Sequence, residues 1–302
     1  MIKMLSISDF KLVELKDKEI FDIYYTKYPQ VHSDYLFTTI ISWMKYAKYH
    51  FISYKNNLII FTKIDDKIRF RPPIGKRNKD ILNEIINLAK KSSESFPIGT
   101  IDSETKNWFL KNYPNLVCIP ERDYFDYVYL SSDLADLHGS RYSKIRNRLN
   151  KFKRKYEYEI NIISNDNIDL VKEFLTRWCI WKDCESDPLL EHEKKAVVFS
   201  MDNFFELDLN GIVIKINDEI EAISVYEKIN NETVVIHYEK ASPDYDEIYK
   251  AINNESAKIL SKYFHFINRE SDMGIIGLRK AKMSYKPDHM IKLYHIDKTS
   301  LD

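Results

Sequence analysis

Hydrophobic positions recur in this chain with two periods, and the switches between them mark out its elements. In "DYLFTTIISWMKY" (34–46), Leu36, Ile40, Trp43 and Met44 fall at helical spacing behind a Ser33/Asp34 start, which predicts a helix. The following "HFISYKNNLIIFTKIDDKIRFRPPIG" alternates instead, and Asn56-Asn57 and Asp65-Asp66 divide it into three strands joined by two turns. Helical spacing returns over 80–91 with Ile81, Ile85 and Leu88 inward, and "YFDYVYL" (124–130) reads as a strand.

The second half is more regular. Ser140 can cap a helix whose buried stripe is Ile145, Leu149, Phe152 and Tyr156. Helices over 167–181 and 193–205 follow. Then come the strands "GIVIKIN", "EIEAISVYEKI" and "ETVVIHYEKA", with Asn217-Asp218 and Asn230-Asn231 as turns. A helix over 246–263, the strand "FHFIN", a short helix from Met273 or Gly274 with Leu278 and Ala281 inward, and the strand "MIKLYHI" complete the order. A three-strand meander followed by alternating helices and strands is the order of an acetyltransferase-like (GNAT) domain, and the first half follows it more loosely. The expected fold class is α/β (α+β): two tandem GNAT-like domains with mixed, mostly antiparallel sheets.

Length agrees, since 302 residues exceed one small core. The short polar "LSSDLADLHGS" puts the join near 130–140, giving domains 1–132 and 133–302. Lys plus Arg equals Asp plus Glu at 46 each, so a phosphate site has to be a local patch and not a global field. No apolar run approaches a membrane span, and "MIKMLSISDFKLVEL" is broken by charge too early for a signal peptide. The three cysteines, Cys118, Cys179 and Cys184, suit a reducing compartment, so a cytoplasmic setting is expected. The spacing in "WCIWKDCE", even with His192 nearby, matches no common zinc pattern, and no metal is expected.

Three stretches could carry chemistry. In "RYSKIRNRLNKFKRK" (141–155) eight of fifteen residues are basic and none is acidic. With the apolar stripe buried, Arg141, Lys144, Arg148, Lys151 and Lys155 share the exposed side, where like charges repel unless an anion offsets them. A solvated face is the plain alternative. In "VVIHYEKA", alternation puts His237 and Glu239 on one face and Tyr238 and Lys240 on the other. Glu239 could serve as a base or partner for an amine, and Lys240 could stabilise an oxyanion. In "INRESDMGIIGLRKAKMSYKP" (267–287), Arg269 and Glu270 could form an internal ion pair, Asp272 could cap the helix, and Arg279, Lys280 and Lys282 project from two sides. Where a CoA-binding GNAT domain carries a glycine-rich pyrophosphate turn, this chain has "ASPDYDEIYKAIN", whose Asp244, Asp246 and Glu247 would repel phosphates. Walker A, G-x-S-x-G and H-E-x-x-H motifs are missing.

"RYSKIRNRLNKFKRKY", "IHYEKA" and "INRESDMGIIGLRKAKMSYKP", with "DYLFTTIISW" and "RPPIG" in the first half, resemble the group around the phosphatidylglycerol lysyltransferase C-terminal domain (DUF2156). The resemblance covers most of the chain. It implies paired GNAT-like domains akin to the Fem peptidyltransferases, and transfer of an aminoacyl group from charged tRNA. It favours Glu239, Lys240, Asn268, Arg269 and Glu270 around the reacting group, beside His237 and Tyr238. Tyr285 is implied as a substrate contact or proton donor. Phosphates would fall to Arg141, Lys144, Arg146, Arg148, Lys151, Arg279, Lys280 and Lys282. The lipid-modifying members carry a multi-span membrane domain that this sequence lacks, so the acceptor stays open. The expectation is an aminoacyl- or acyltransferase with tRNA as partner, aminoacyl-tRNA as favoured donor and acetyl-CoA less favoured. The alternatives are a non-catalytic module for RNA or another anionic ligand, and a CoA-dependent N-acetyltransferase.

Overall fold

A computed structural model describes residues 5–184 and 188–301. Two compact units comprise 1–125 with 291–302, and 126–290.

The first unit holds β1 (Lys11–Leu12), α1 (Lys18–Lys27), α2 (Phe37–Ser42), β2 (Lys48–Tyr54), β3 (Asn57–Ile64), β4 (Lys67–Phe70), β5 (Ile74–Gly75), α3 (Lys79–Lys90), β6 (Ile98–Asp102), α4 (Ser103–Asn112) and β7 (Cys118–Pro120). Its sheet runs β1-β2-β3-β4-β6-β15-β7, with β5 against β3 and β15 (Leu293–Ile296) supplied by the end of the chain. The helix expected over 34–46 is shorter: a 3-10 turn, Ser33–Tyr35, precedes α2.

The second unit holds β8 (Asp126–Leu130), α5 (Ser131–Asp136), α6 (Ser143–Lys155), β9 (Glu159–Ile162), α7 (Ile168–Lys182), α8 (Pro188–Asp202), β10 (Asn210–Ile216), β11 (Glu219–Lys228), β12 (Thr233–Ala241), α9 (Ile248–Leu260), β13 (Phe266–Asn268), α10 (Ile276–Ser284) and β14 (His289–Ile291). Its sheet order is β14-β8-β13-β12-β11-β10-β9. One face buries Ile145, Leu149 and Phe152 of α6 and Ile248, Ala251 and Ile252 of α9 against Ile212, Ile214, Val234 and Ile236 of the sheet. The stripe read from the sequence is therefore the core face of α6.

The expected boundary at 132/133 differs from the observed division at two strands. β8 lies before that boundary yet pairs with β13 in the second sheet, and β15 lies after it yet pairs with β6 and β7 in the first. Strand pairing is non-local, so residue order alone does not assign an edge element to its sheet. Among the described residues, no helix is long and apolar enough to cross a membrane.

Candidate active site

β12 and β13 run parallel, and their pairing stops at Val235 and Asn268. Beyond that point β12 continues to Ala241, whereas the chain after Asn268 follows β8: Arg269 N donates to Tyr127 O at 2.9 Å. The strands thus part, and charged side chains occupy the opening. Arg269 pairs with Glu239 through Nη2 and Oε2. Asn253 of α9 donates Nδ2 to the other oxygen of Glu239 at 3.0 Å. The guanidinium lies 5.1 Å from the Tyr285 ring centre and 5.8 Å from that of Tyr129. Burial opposes the charge on Arg269, but Glu239 overcomes it and holds the guanidinium above its ordinary pKa. Burial pushes the Tyr285 phenol up to about 12, against the pull of Arg269, so it keeps its proton at neutral pH.

The next residue uses a different partner. Glu270 accepts from His237 Nδ1 at 2.8 Å, and His237 Nε2 meets Glu227 at 2.7 Å. Burial alone would lower the imidazole, but hydrogen bonds to the two carboxylates raise it to about 10. Desolvation pushes the Glu270 carboxyl upward despite His237. The internal pair considered between Arg269 and Glu270 is therefore replaced by two cross-strand pairs.

The face assignment on β12 also changes. Val225 faces Tyr238 and Tyr226 faces Ile236, so His237 is an extra residue in the ladder, a β-bulge. His237 and Glu239 consequently have no partner in common. Tyr238 and Lys240 turn to α7 and α8: the Tyr238 hydroxyl meets Ser200 Oγ at 3.1 Å, and Lys240 Nζ meets Glu193 at 2.6 Å and lies 4.2 Å from the Trp178 ring centre. Lys240, Trp178, Glu193, Cys179 and Val197 line a cavity of about 290 Å³. Lys240 and Arg269 do not converge on one oxyanion in this arrangement, because Lys240 turns to Glu193 of α8 whereas Arg269, from the loop after β13, turns to Glu239.

The loop that carries Arg269 and Glu270 is held by its own helix. Lys282 is buried, and its ammonium donates to the carbonyls of Arg269, Glu270 (3.1 Å) and Ser271 (2.7 Å). Glu270 has a φ of 56°, a left-handed conformation that costs a non-glycine residue about 1 kcal/mol or more, and the three bonds offset that cost. Burial first, and Arg269 second, pull the Lys282 ammonium down to about 8. Asn268 is likewise used internally: Nδ2 donates to Asp126 at 2.7 Å and Oδ1 accepts from Glu270 N at 2.8 Å. Asp272 accepts from Gly274 N and grips Arg279 bidentately at 2.8 and 2.9 Å. Arg279 and the hydrogen bonds hold its carboxyl well below the usual range against the desolvation of burial. The reading of Lys282 as a phosphate ligand is corrected, since the buried side of α10 is Lys282 and not the expected Ala281, which is exposed. Lys280 is exposed.

The basic helix finds its anions within the chain. Arg148 is 3.9 Å from Glu247, Lys151 and Lys155 are 3.6 and 3.4 Å from Asp246, and Lys153 is 3.0 Å from Glu255. Arg141 meets Asp133 at 2.6 Å, and Arg146 donates to the carbonyls of Leu137 and Gly139. Lys144 and Arg154 are exposed. The acidic turn before α9 and the acid-free run of α6, two separate oddities in the sequence, are opposite sides of one set of ion pairs.

Residues 25–296 match the family model described as phosphatidylglycerol lysyltransferase, C-terminal. The chain belongs to this family. Among solved structures, a conserved protein of unknown function from Bacteroides thetaiotaomicron is 30% identical, with a TM-score of 0.88 over 95% of this chain and 98% of that one. The L-PGS of Bacillus licheniformis gives 0.63 at 13% identity over 93% and 92% of the two chains. FemX gives 0.57 at 10% identity over 97% and 98%. At these last two identities the likeness is one of fold, and the observed fold is of the expected α/β (α+β) class with two mixed, mostly antiparallel sheets. An uncharacterized curated protein of Mycoplasmoides gallisepticum is 27% identical over 174 residues, 56% of this chain and 54% of that one. The match to this curated relative thus spans about half its length. The lysyltransferases for which the family is described are transferases.

Two residues bordering Glu239 carry no sequence signal. Asn253 sits in an ordinary helical run, and Ser224 is placed opposite Glu239 only by the β11–β12 register.

Proposed function

We propose that this protein transfers an aminoacyl group from charged tRNA to an acceptor amine or hydroxyl by direct attack on the aminoacyl ester. The observation that carries the reading is the Glu239–Arg269 pair spanning the opening between β12 and β13, with the protonated Tyr285 phenol beneath it. Arg269 stabilises the tetrahedral oxyanion, for which its planar set of N–H donors is suited. Glu270, whose carboxylate is about a third exposed and whose proton affinity is raised, takes the proton of the attacking acceptor. The new bond joins acceptor to carbonyl carbon, and the ester bond to the terminal ribose breaks. The ribose oxygen leaves with the proton of Tyr285, and solvent exchange resets both groups. Direct transfer relies on positioning and electrostatics and calls for no covalent nucleophile. Asp246 and Glu247 at the start of α9 favour this donor over CoA, because they put carboxylates where a pyrophosphate would need N–H groups.

The test is incubation of the protein with tRNA bearing labelled aminoacyl groups and with cell extract. Label moved to a new product supports transfer. Bound tRNA with no label moved, at any acceptor supplied by the extract, overturns it.

A further inference from the structure

Two buried polar atoms beside Glu239 are unused. Ser224 on β11 stands directly across from Glu239, is fully buried, and its hydroxyl makes no hydrogen bond among the described residues. Asn253 is 1% exposed; its Nδ2 donates to Glu239, which fixes the orientation of the amide, and its Oδ1 accepts no hydrogen bond among the described residues. A buried polar atom left without a partner is costly, so two of them flanking one carboxylate mark a place built for another group.

The chemistry of that group follows from theirs. A carboxylate and an amide oxygen only accept hydrogen bonds, and a hydroxyl accepts as readily as it donates. The complement is a group with several N–H donors and no acceptor. A primary ammonium supplies three N–H donors and the charge that suits Glu239. A plain acyl chain would leave all three atoms unmatched.

We propose that Glu239, Asn253 and Ser224 form an ammonium site that holds the free α-amine of the transferred group. This rests on the transfer reading above and narrows it to aminoacyl donors with an unblocked amine. An N-acetylated donor has lost the charge and two of three N–H groups, and the buried acceptors then reject it in the way buried polar sites reject ligands that cannot complete their bonds.

Binding can be measured without transfer. The twenty amino-acid amides and their N-acetyl counterparts, at millimolar concentration, serve as probes in thermal unfolding. At least one free-amine amide is expected to raise the melting temperature and its N-acetyl form is not, and Ser224→Ala and Asn253→Leu each weaken the binding about tenfold or more. No shift with any amide, equal shifts with the acetylated forms, or unchanged affinity in Ser224→Ala would each overturn the ammonium site and leave bound water as the occupant. Ser224→Ala removes one atom and carries the test if the leucine variant does not fold. Transfer of label from charged tRNA, before and after N-acetylation, separates the two proposals. Equal transfer from both pools sinks the ammonium site alone, whereas amide binding without transfer sinks the transferase alone.

Discussion

Lys282 Nζ lies 2.7 Å from the carbonyl oxygen of Ser271, and the same ammonium also serves the carbonyls of the two preceding residues. One cation therefore fixes the backbone that presents Arg269 and Glu270. Lys282→Met leaves these carbonyls without their donor and is expected to cost about 2 kcal/mol at pH 7. The pH dependence has a definite sign. Lysine titrates near 10.5, and Lys282 in the folded chain near 8, so between these values the unfolded chain holds the extra proton. The proton-linked part of its contribution is therefore absent below pH 8 and grows up to pH 10.5, in addition to the hydrogen bonds already present at pH 7. Urea unfolding at pH 7.5 and 9.5 should show the deficit of Lys282→Met widening by roughly 1 kcal/mol per pH unit. A constant deficit would contradict the depressed ammonium.

His237 behaves in the opposite sense. Its two carboxylates raise it from 6.5 to about 10, so its stabilising contribution is complete below pH 6.5 and fades as pH rises through 10. NMR of the ring nitrogens should show an imidazolium unchanged from pH 5.5 to 8.5. His237→Gln should be most harmful at the acid end of that range, where the lost charge counts in full. A ring that titrates near 6.5 would show that Glu227 and Glu270 do not both hold it.

Glu239 and Arg269 provide a test of pairing. Each single variant, Glu239→Gln or Arg269→Met, leaves one buried charge without its partner, a loss of about 3–5 kcal/mol. The double variant leaves none, so a cycle of unfolding free energies should give a coupling of roughly 2 kcal/mol. Additive losses would mean that the two side chains are not paired in solution. All three variants should lose transfer from charged tRNA.

These relationships differ in how far residue order reveals them. The stripe Ile145, Leu149 and Phe152 is legible because helix periodicity and burial are local. "IHYEKA" and "INRESD" are legible as charged ends of strands, which makes Glu239 and Arg269 candidates. Their pairing is not, because it depends on where two parallel strands part. The bulge at His237 is hidden for a similar reason: an extra residue in one strand is defined by the register of its neighbour. Lys282 misleads outright. A lysine in an exposed-looking helix reads as wet, and only the loop carbonyls that surround it make its burial affordable. Ser224 and Asn253 have no motif at all, and only their unmatched atoms single them out.

The cations of the basic helix α6 are divided between their acidic partners and any anion that binds from outside. Lys151 and Arg148 are more than half exposed, and their distances to Asp246 and Glu247 are 3.6 and 3.9 Å. Exposed pairs at such separations contribute under about 1 kcal/mol to stability, so changing Arg148, Lys151 or Asp246 should leave the melting temperature almost unaltered, whereas changing Glu247, largely buried and 2.6 Å from Lys250, should cost more. RNA binding should respond strongly. If α6 receives phosphates, Arg148→Glu with Lys151→Glu abolishes tRNA binding, and Asp246→Asn with Glu247→Gln strengthens it several-fold by releasing cations already half neutralised. The acid-removing variant should also steepen the dependence of log K on log salt, by up to about 0.7–0.9 for each added phosphate contact. A solvated face with no RNA role predicts flat affinity in both variants. Filter binding at two salt concentrations decides between them, because loss on one side and gain on the other cannot both follow from damage to the fold.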